Sequence, residues 1–95
     1  MPDYDAAKSQ LLQMKQAHLD VCLFLEEIDS DFHENAAKTL VTRIESLVIK
    51  PIDIALKIID VIDMIGDDQI PSVISARWNQ QILQALNRGG VNLEF

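Results

Sequence analysis

Cations, aromatic side chains and cysteines are all scarce in this sequence. Eight Lys and Arg stand against fifteen Asp and Glu, which gives a formal net charge of −7. Nucleic acids and anionic membranes are bound chiefly through Lys and Arg, so this balance argues against direct contact with either. A protein partner with a basic surface is the binding class that the charge favours.

Aromatic residues make up 5% of the chain, although 48% of it is hydrophobic. The core must therefore be built mainly from aliphatic side chains. Such a core leaves little room for a deep pocket lined by several converging polar groups, which enzymes and cofactor sites need. We therefore expect a non-catalytic protein that carries no cofactor.

Features of secreted and membrane proteins are missing too. The single cysteine, Cys22, excludes a disulfide framework within the chain and suits a reducing compartment. The first residues, Met-Pro-Asp-Tyr-Asp, contain neither the basic nor the apolar part of a secretory signal. The apolar runs carry Asp or Lys at helical intervals, so no transmembrane helix is expected. Together these features predict a cytoplasmic protein.

Helical periodicity predicts four helices in a single domain, residues 1–95. The first helix runs from an N-cap at Asp3 to Ile28. The second begins near Asp31, which with Glu34 resembles a capping box. Pro51 is expected to end it and open the third helix, because a residue before proline avoids the α region.

Residues 51–65 form the most apolar of these helices, and the helix is expected to stop at Gly66. Its polar residues fall on one stripe, so nearly every other face must be covered by neighbours. A fourth helix follows, starting after Asp68 or Ser72 and ending at Gly89. The predicted fold is all-α: a compact four-helix bundle-like domain with a long first helix and a buried third helix.

Acidic residues are concentrated in two short segments that contain no Lys or Arg. One segment is the joint between helices one and two, and the other is the joint between helices three and four. In an up-down-up-down bundle both joints lie at the same end, which predicts one anionic pole. The predicted partner-binding residues are Glu26, Glu27, Asp29, Asp31, Glu34, Asp60, Asp63, Asp67 and Asp68. The alternative is a solvated end whose acids only cap helices.

A heptad seam follows the first helix from Tyr4 to Ile28 at alternating spacings of three and four, with His18 as its one strongly polar member. About 25 residues give a helix of ~38 Å, longer than the others, so its first turns are expected to project. A projecting apolar stripe favours a homo-oligomer. The predicted self-association residues are Tyr4, Leu11, Met14 and His18. The alternative is that these turns fold over the bundle.

Metal binding and nucleophilic catalysis find little support. The alternation of Asp29, Asp31 and His33 is similar to the start of a calcium loop, but Glu34 and Leu40 replace its required glycine and glutamate. His18 and Cys22 are spaced for two zinc ligands, without a second pair. We predict no metal, a register-fixing role for His18 and a packing role for Cys22.

Two known kinds of binding module share features with this sequence. Helices two to four, with Arg77 and Arg88 on the last of them, could form a helix-turn-helix DNA binder. Asp29 and Ser30 resemble the first two residues of the Asp-Ser-Leu motif of acyl carrier proteins, which implies a phosphopantetheine arm on Ser30. Asp31 stands where that motif has leucine.

The sequence therefore favours a non-catalytic acidic protein–protein interaction module of the adaptor, chaperone, immunity or inhibitor type. The alternative is a nucleic-acid mimic that inhibits a DNA- or RNA-binding enzyme.

Overall fold

The computed structural model describes residues 3–28 and 34–92, and its regular elements over these ranges are all helical. They are α1 (Tyr4–Ile28), α2 (Glu34–Ile44), a π turn (Glu45–Ile49), α3 (Lys50–Ile65), a 3-10 turn (Asp67–Gln69) and α4 (Ser72–Arg88). The all-α fold class and the long first helix are confirmed. None of the described helices has the length and apolarity needed to cross a membrane.

Pro51 does not end a helix, which corrects the boundary predicted from the sequence. Lys50, directly before it, keeps α-helical dihedrals of φ −61° and ψ −46°. The Lys50 N–H bonds to the carbonyl of Glu45, five residues back, so the backbone widens into one π turn. The wider turn accommodates the proline ring, which would otherwise clash with the carbonyl four residues earlier. Residues 34–65 therefore form one continuous helix of about 45 Å, named here the central rod.

Helix α1 lies antiparallel to the central rod. The Lys8 Nζ is 3.5 Å from Asp60 Oδ1, and the Lys15 Nζ is 2.7 Å from Asp53 Oδ1. A step of seven residues toward the end of α1 thus matches a step of seven residues toward the start of the rod, which shows that the two run in opposite directions. The molecule measures 54 × 20 × 19 Å. The four-helix bundle describes it only roughly, because two of the four predicted helices are one.

The main core fills one end of the molecule. It is formed by the first half of α1, by α3 and by α4: Ala7, Leu11, Met14, Ile52, Ala55, Ile58, Ile59, Ile62, Ile82, Ala85 and Leu86. Cys22, Ala37 and Ile49 are buried outside this cluster. We name the two parts the three-helix body (residues 3–17, 50–65 and 72–92) and the two-helix arm (residues 18–28 and 34–49).

The third predicted helix is indeed the most buried, since five residues of α3 lie inside the body. Its cover is incomplete, because Ile54, Met64 and Ile65 remain exposed. Local signals fix the described helix ends. The Asp3 carboxylate accepts the Ala6 N–H at 3.0 Å, which confirms the predicted N-cap. Gly66, with φ of 95°, ends α3 in a conformation that side chains rarely adopt.

Candidate interaction surface

The described acids of the two segments lie at opposite ends of the molecule, so the prediction of one anionic pole is wrong. Asp60 pairs with Lys8 near the start of α1. Glu26 and Glu27 lie in the last turns of α1, about 35 Å from its first turn at 1.5 Å per residue. The cause is the π turn, because the rod continues through Pro51 instead of reversing direction there.

The predicted partner-binding residues therefore divide into two groups. Asp60, Asp63, Asp67 and Asp68 lie at the turn between α3 and α4, and Glu26 and Glu27 lie at the tip of the arm. Asp29 and Asp31 are outside the described residues, and so is the side chain of Glu34. Ser30, the attachment site implied by the acyl-carrier resemblance, is also outside them. The helix-turn-helix alternative loses its basis, since no turn separates α2 from α3.

Near the α3–α4 turn, Tyr4 connects the start of α1 to α4. The Tyr4 hydroxyl donates a hydrogen bond to Asn79 Oδ1 at 2.8 Å. Burial raises the pKa of the Tyr4 hydroxyl, and the nearby Asp67 carboxylate raises it further. The hydrogen bond to Asn79 thus helps to fix the start of α1 against the body.

The predicted self-association residues are also placed inside the subunit. Leu11 is fully buried and Met14 is 8% exposed, both in the body core. Tyr4 and His18 are half-buried. Since His18 Nδ1 lies 2.7 Å from the Met14 carbonyl oxygen, which can only accept, this nitrogen carries the proton and donates. The prediction of a projecting N-terminal seam is therefore wrong: α3 and α4 cover this half of α1, whereas its other half packs against the rod and not against α4.

Cys22 contributes to packing inside the arm. Its side chain is buried, and burial raises the pKa of the thiol, with Glu45 and Glu26 raising it further. The reactive thiolate is therefore disfavoured at neutral pH. Among the described residues, no group of three or more His, Cys, Asp and Glu side chains is arranged to hold a metal ion.

The arm carries large apolar side chains in contact with solvent. Phe24 is 58% exposed and Val21 45% on α1, while Leu47 is 56% and Leu40 47% exposed on the rod. If a full side chain offers roughly 150–200 Å², these four leave on the order of 350 Å² of apolar surface open. Exposed apolar surface of a few hundred Å² on a monomer is often functional.

These four residues lie on the side of the arm that α4 covers in the body. Met14 is at the end of α4, where a Cβ on Gly89 would overlap its methyl group. Val21 follows Met14 by two turns, and Phe24 follows Val21 by three residues, so all three share one side of α1. On the rod, the Leu47 carbonyl contacts Arg88 of α4, and Leu40 lies two turns further along. We name the surface formed by Val21, Phe24, Leu40 and Leu47 the arm groove.

Charged residues border the arm groove unevenly. Asp20 and Glu27 flank Phe24 at spacings of four and three, so they share its face of α1. From residue 16 to residue 28, α1 contains three acids and no Lys or Arg. Arg43 lies between Leu40 and Leu47 on the rod, at spacings of three and four. The α1 rim is thus acidic, whereas the rod side carries Arg43 and, at the end of α4, Arg88, whose guanidinium contacts the Leu47 carbonyl.

A second exposed apolar patch flanks the α3–α4 turn. Met64 is 80% and Val73 72% exposed, and Ile65 and Ile74 are exposed beside them. These residues stand at the end of α3 and the start of α4, on either side of the turn that joins the two helices. The arm groove, in contrast, continues the channel between α1 and the rod that α4 fills in the body. The arm groove is therefore the stronger candidate for a binding surface.

The body and the arm meet at a junction that also stabilises the π turn. The Arg88 guanidinium donates a hydrogen bond of 2.7 Å to the Leu47 carbonyl oxygen. In a regular α-helix that carbonyl would accept the N–H of residue 51, which proline lacks. Arg88 therefore replaces the donor that Pro51 removes.

Replacing Arg88 by alanine is expected to lower the free energy of unfolding by about 1 kcal/mol, because the Leu47 carbonyl loses its charged donor. The loss should shrink in a Pro51→Ala background, where residue 51 regains an N–H. Urea denaturation of the double-mutant cycle measures this coupling. Arg77→Ala is the matched control, being an exposed arginine of the same helix. Equal losses in both backgrounds would contradict the donor exchange.

Comparison with known proteins gives no relative: the chain matches no protein-family model, no curated protein and no solved structure at a significant level.

Proposed function

We propose that this chain is a non-catalytic protein–protein interaction module that binds a basic partner through the tip and groove of its arm. The observation that carries the proposal is the uncovered side of the arm, where half-exposed apolar residues lie next to acids of α1. Interfaces combine a desolvated apolar centre with a polar rim that governs association rate and partner choice. An adaptor, chaperone, immunity or inhibitor protein would use such a surface.

The arm supports this function better than the acidic turn between α3 and α4. At the turn, Asp60 already pairs with Lys8, and Asp67 lies near enough to the half-buried Tyr4 to raise the pKa of its hydroxyl. At the arm tip, Glu26 and Glu27 are both exposed. Their carboxylates also occupy the end of α1 at which the helix dipole disfavours negative charge, so stability alone does not account for them.

Affinity purification of the tagged protein from its native cell, followed by mass spectrometry, should identify the partner. Binding of the purified partner is then measured for two paired variants. Glu26→Gln with Glu27→Gln should weaken binding several-fold, because two rim charges are lost. Asp63→Asn with Asp68→Asn, which removes two exposed acids at the opposite end, should leave the affinity within twofold.

The salt dependence of partner binding and competition by nucleic acid distinguish this proposal from the nucleic-acid mimic. A partner held by an apolar centre should lose only modest affinity as salt rises, and DNA or RNA should not displace it. Steep salt dependence with displacement by nucleic acid would instead support the mimic. The arm would be excluded as the binding surface if the purification retained no partner, or if both paired variants weakened binding of the partner equally.

A further inference from the structure

We infer that the arm groove is a seat for one amphipathic α-helix of the partner, lying end to end with α4 and bearing Lys or Arg on the flank that faces α1. This inference rests on the proposed function and specifies the form and chemistry of the partner segment.

The first argument is continuity with packing that the chain already contains. In the body, α4 fills the channel between α1 and α3 with Ile82, Ala85 and Leu86. That helix ends at Gly89-Gly90, where Val91 turns back onto the core through an N–H bond to the Leu86 carbonyl. The channel between α1 and the rod continues beyond that point, lined by Val21, Phe24, Leu40 and Leu47. A helix is thus the shape that the adjacent stretch of the same channel accommodates.

The length of the open channel sets the length of the occupant. Helix α1 continues from Met14, at the end of α4, to Ile28. This stretch corresponds to ~21 Å, which a helix of about 14 residues, or four turns, would fill. Its anchors would recur at spacings of three and four, as in other helix-in-groove complexes.

The rim charges select the chemistry of the occupant. Asp20 and Glu27 border the groove along α1 and would face one flank of the bound helix. Lys and Arg on that flank would meet opposite charge, whereas Glu and Asp there would be repelled. Arg43 on the rod and Arg88 at the end of α4 would lie on the other flank and favour acids there. The whole chain, at −7, reinforces the preference for a basic segment.

A second copy of this chain fits the groove less well. A two-fold axis crossing the channel at right angles to the helices would place the α4 of each copy beside the arm of the other. The outward face of α4 is polar there, with exposed Gln80, Gln81, Gln84 and Asn87. It would therefore bring few apolar side chains to the groove. A two-fold axis parallel to the helices would bring both α4 helices to the same place. Neither symmetry therefore matches the apolar surface of the groove.

The inference can be tested with a synthetic 14-residue helical peptide that carries Leu on one face and Lys on the neighbouring flank. A peptide of the same composition in scrambled order tests periodicity, and a Glu-for-Lys version tests charge. We expect NMR titration of the ¹⁵N-labelled protein to shift the amides of residues 21–25 and 40–47. Only the basic amphipathic peptide should show saturable binding.

Two neighbouring residues provide the matched variants. Phe24 lines the groove and Leu23 does not, yet each side chain is 58% exposed. Phe24→Asp should weaken binding of the basic peptide at least tenfold, while Leu23→Asp should change it less than twofold. Circular dichroism should show both variants to be folded, since neither position is buried.

Several outcomes would overturn the inference. These are equal binding of the scrambled peptide, amide shifts confined to residues 64–74, and a concentration-dependent dimer that Phe24→Asp abolishes in sedimentation. The identified partner separates this inference from the broader proposal. If the Glu26 and Glu27 variant weakens that partner but Phe24→Asp does not, the interaction function stands and the helix seat is refuted.

Discussion

Replacing Leu11 by alanine should lower the free energy of unfolding by about 2–5 kcal/mol, whereas Leu12→Ala should cost less than about 1 kcal/mol. Leu11 has no exposed surface and packs in the core of the body, so truncation leaves a cavity there. Leu12 is 48% exposed and has little packing to lose. The two residues are adjacent and chemically identical, so helix propensity and composition cancel in the comparison.

Urea denaturation followed by Trp78 fluorescence and circular dichroism would measure both losses. The experiment should be run at two protein concentrations, because the heptad seam also suggested that Leu11 holds two subunits together. Core packing within one subunit predicts the same midpoint at both concentrations. A Leu11→Ala protein of normal stability whose oligomer has dissociated would reverse the assignment.

The heptad seam of α1 predicts part of the burial along that helix and does not predict which half a third helix covers. The spacing of its apolar residues identifies Ala7, Leu11 and Met14 as buried, but Val21 of the seam is 45% exposed and its neighbour Cys22 is buried instead. The spacing contains no information on which half of α1 a third helix covers. That choice depends on the place where α4 ends, at Gly89-Gly90, and on its packing against Met14. Periodicity along one helix is local, and coverage is a property of the tertiary arrangement.

The apolar stripe of the rod indicated a continuous helix through Pro51, although the local conformational preferences around proline predicted a helix end there. Buried and half-buried residues on the rod run through Ala37, Val41, Ile44, Val48, Ile52, Ala55, Ile59 and Ile62. Their spacings alternate between four and three, apart from one extra residue at Val48–Ile52. One π turn absorbs one extra residue, so this stripe is typical of a continuous helix with a local insertion. The preference of residues before proline is weaker than the gain from keeping eight apolar residues on one face.

The acidic residues were identified correctly as two clusters, but their placement followed from the wrong topology. Each cluster is defined by sequence, so composition alone found it. Whether the clusters meet depends on the direction of the chain between them, which the π turn decides. The arm groove was not predicted, because Phe24 and Leu40 look like core residues until the missing third helix is known.

Spin labels can establish the arrangement of the two ends directly. With Cys22 replaced by alanine, labels on Glu27→Cys and Asp68→Cys should lie about 35–40 Å apart, since the full length of α1 separates those positions. Labels on Glu27→Cys and Gln84→Cys should lie nearer ~27 Å, because Gln84 precedes Gly89 by five residues and Gly89 contacts Met14, 13 residues before Glu27. All three labelled positions are exposed, so the labels need not disturb packing.

The order of the two distances is more informative than either value. In an up-down-up-down bundle, residues 27 and 68 would share one end and residue 84 would lie toward the other, so the first distance would be the shorter. The continuous rod requires the opposite order. Pulsed electron–electron double resonance at low temperature measures both distances in this range. If the shorter distance belonged to the Glu27–Asp68 pair, α2 and α3 would have to fold back at Pro51, and α3 would then occupy the channel left open beside the arm. The two acidic groups would form a single pole, and the seat for a partner helix would no longer exist.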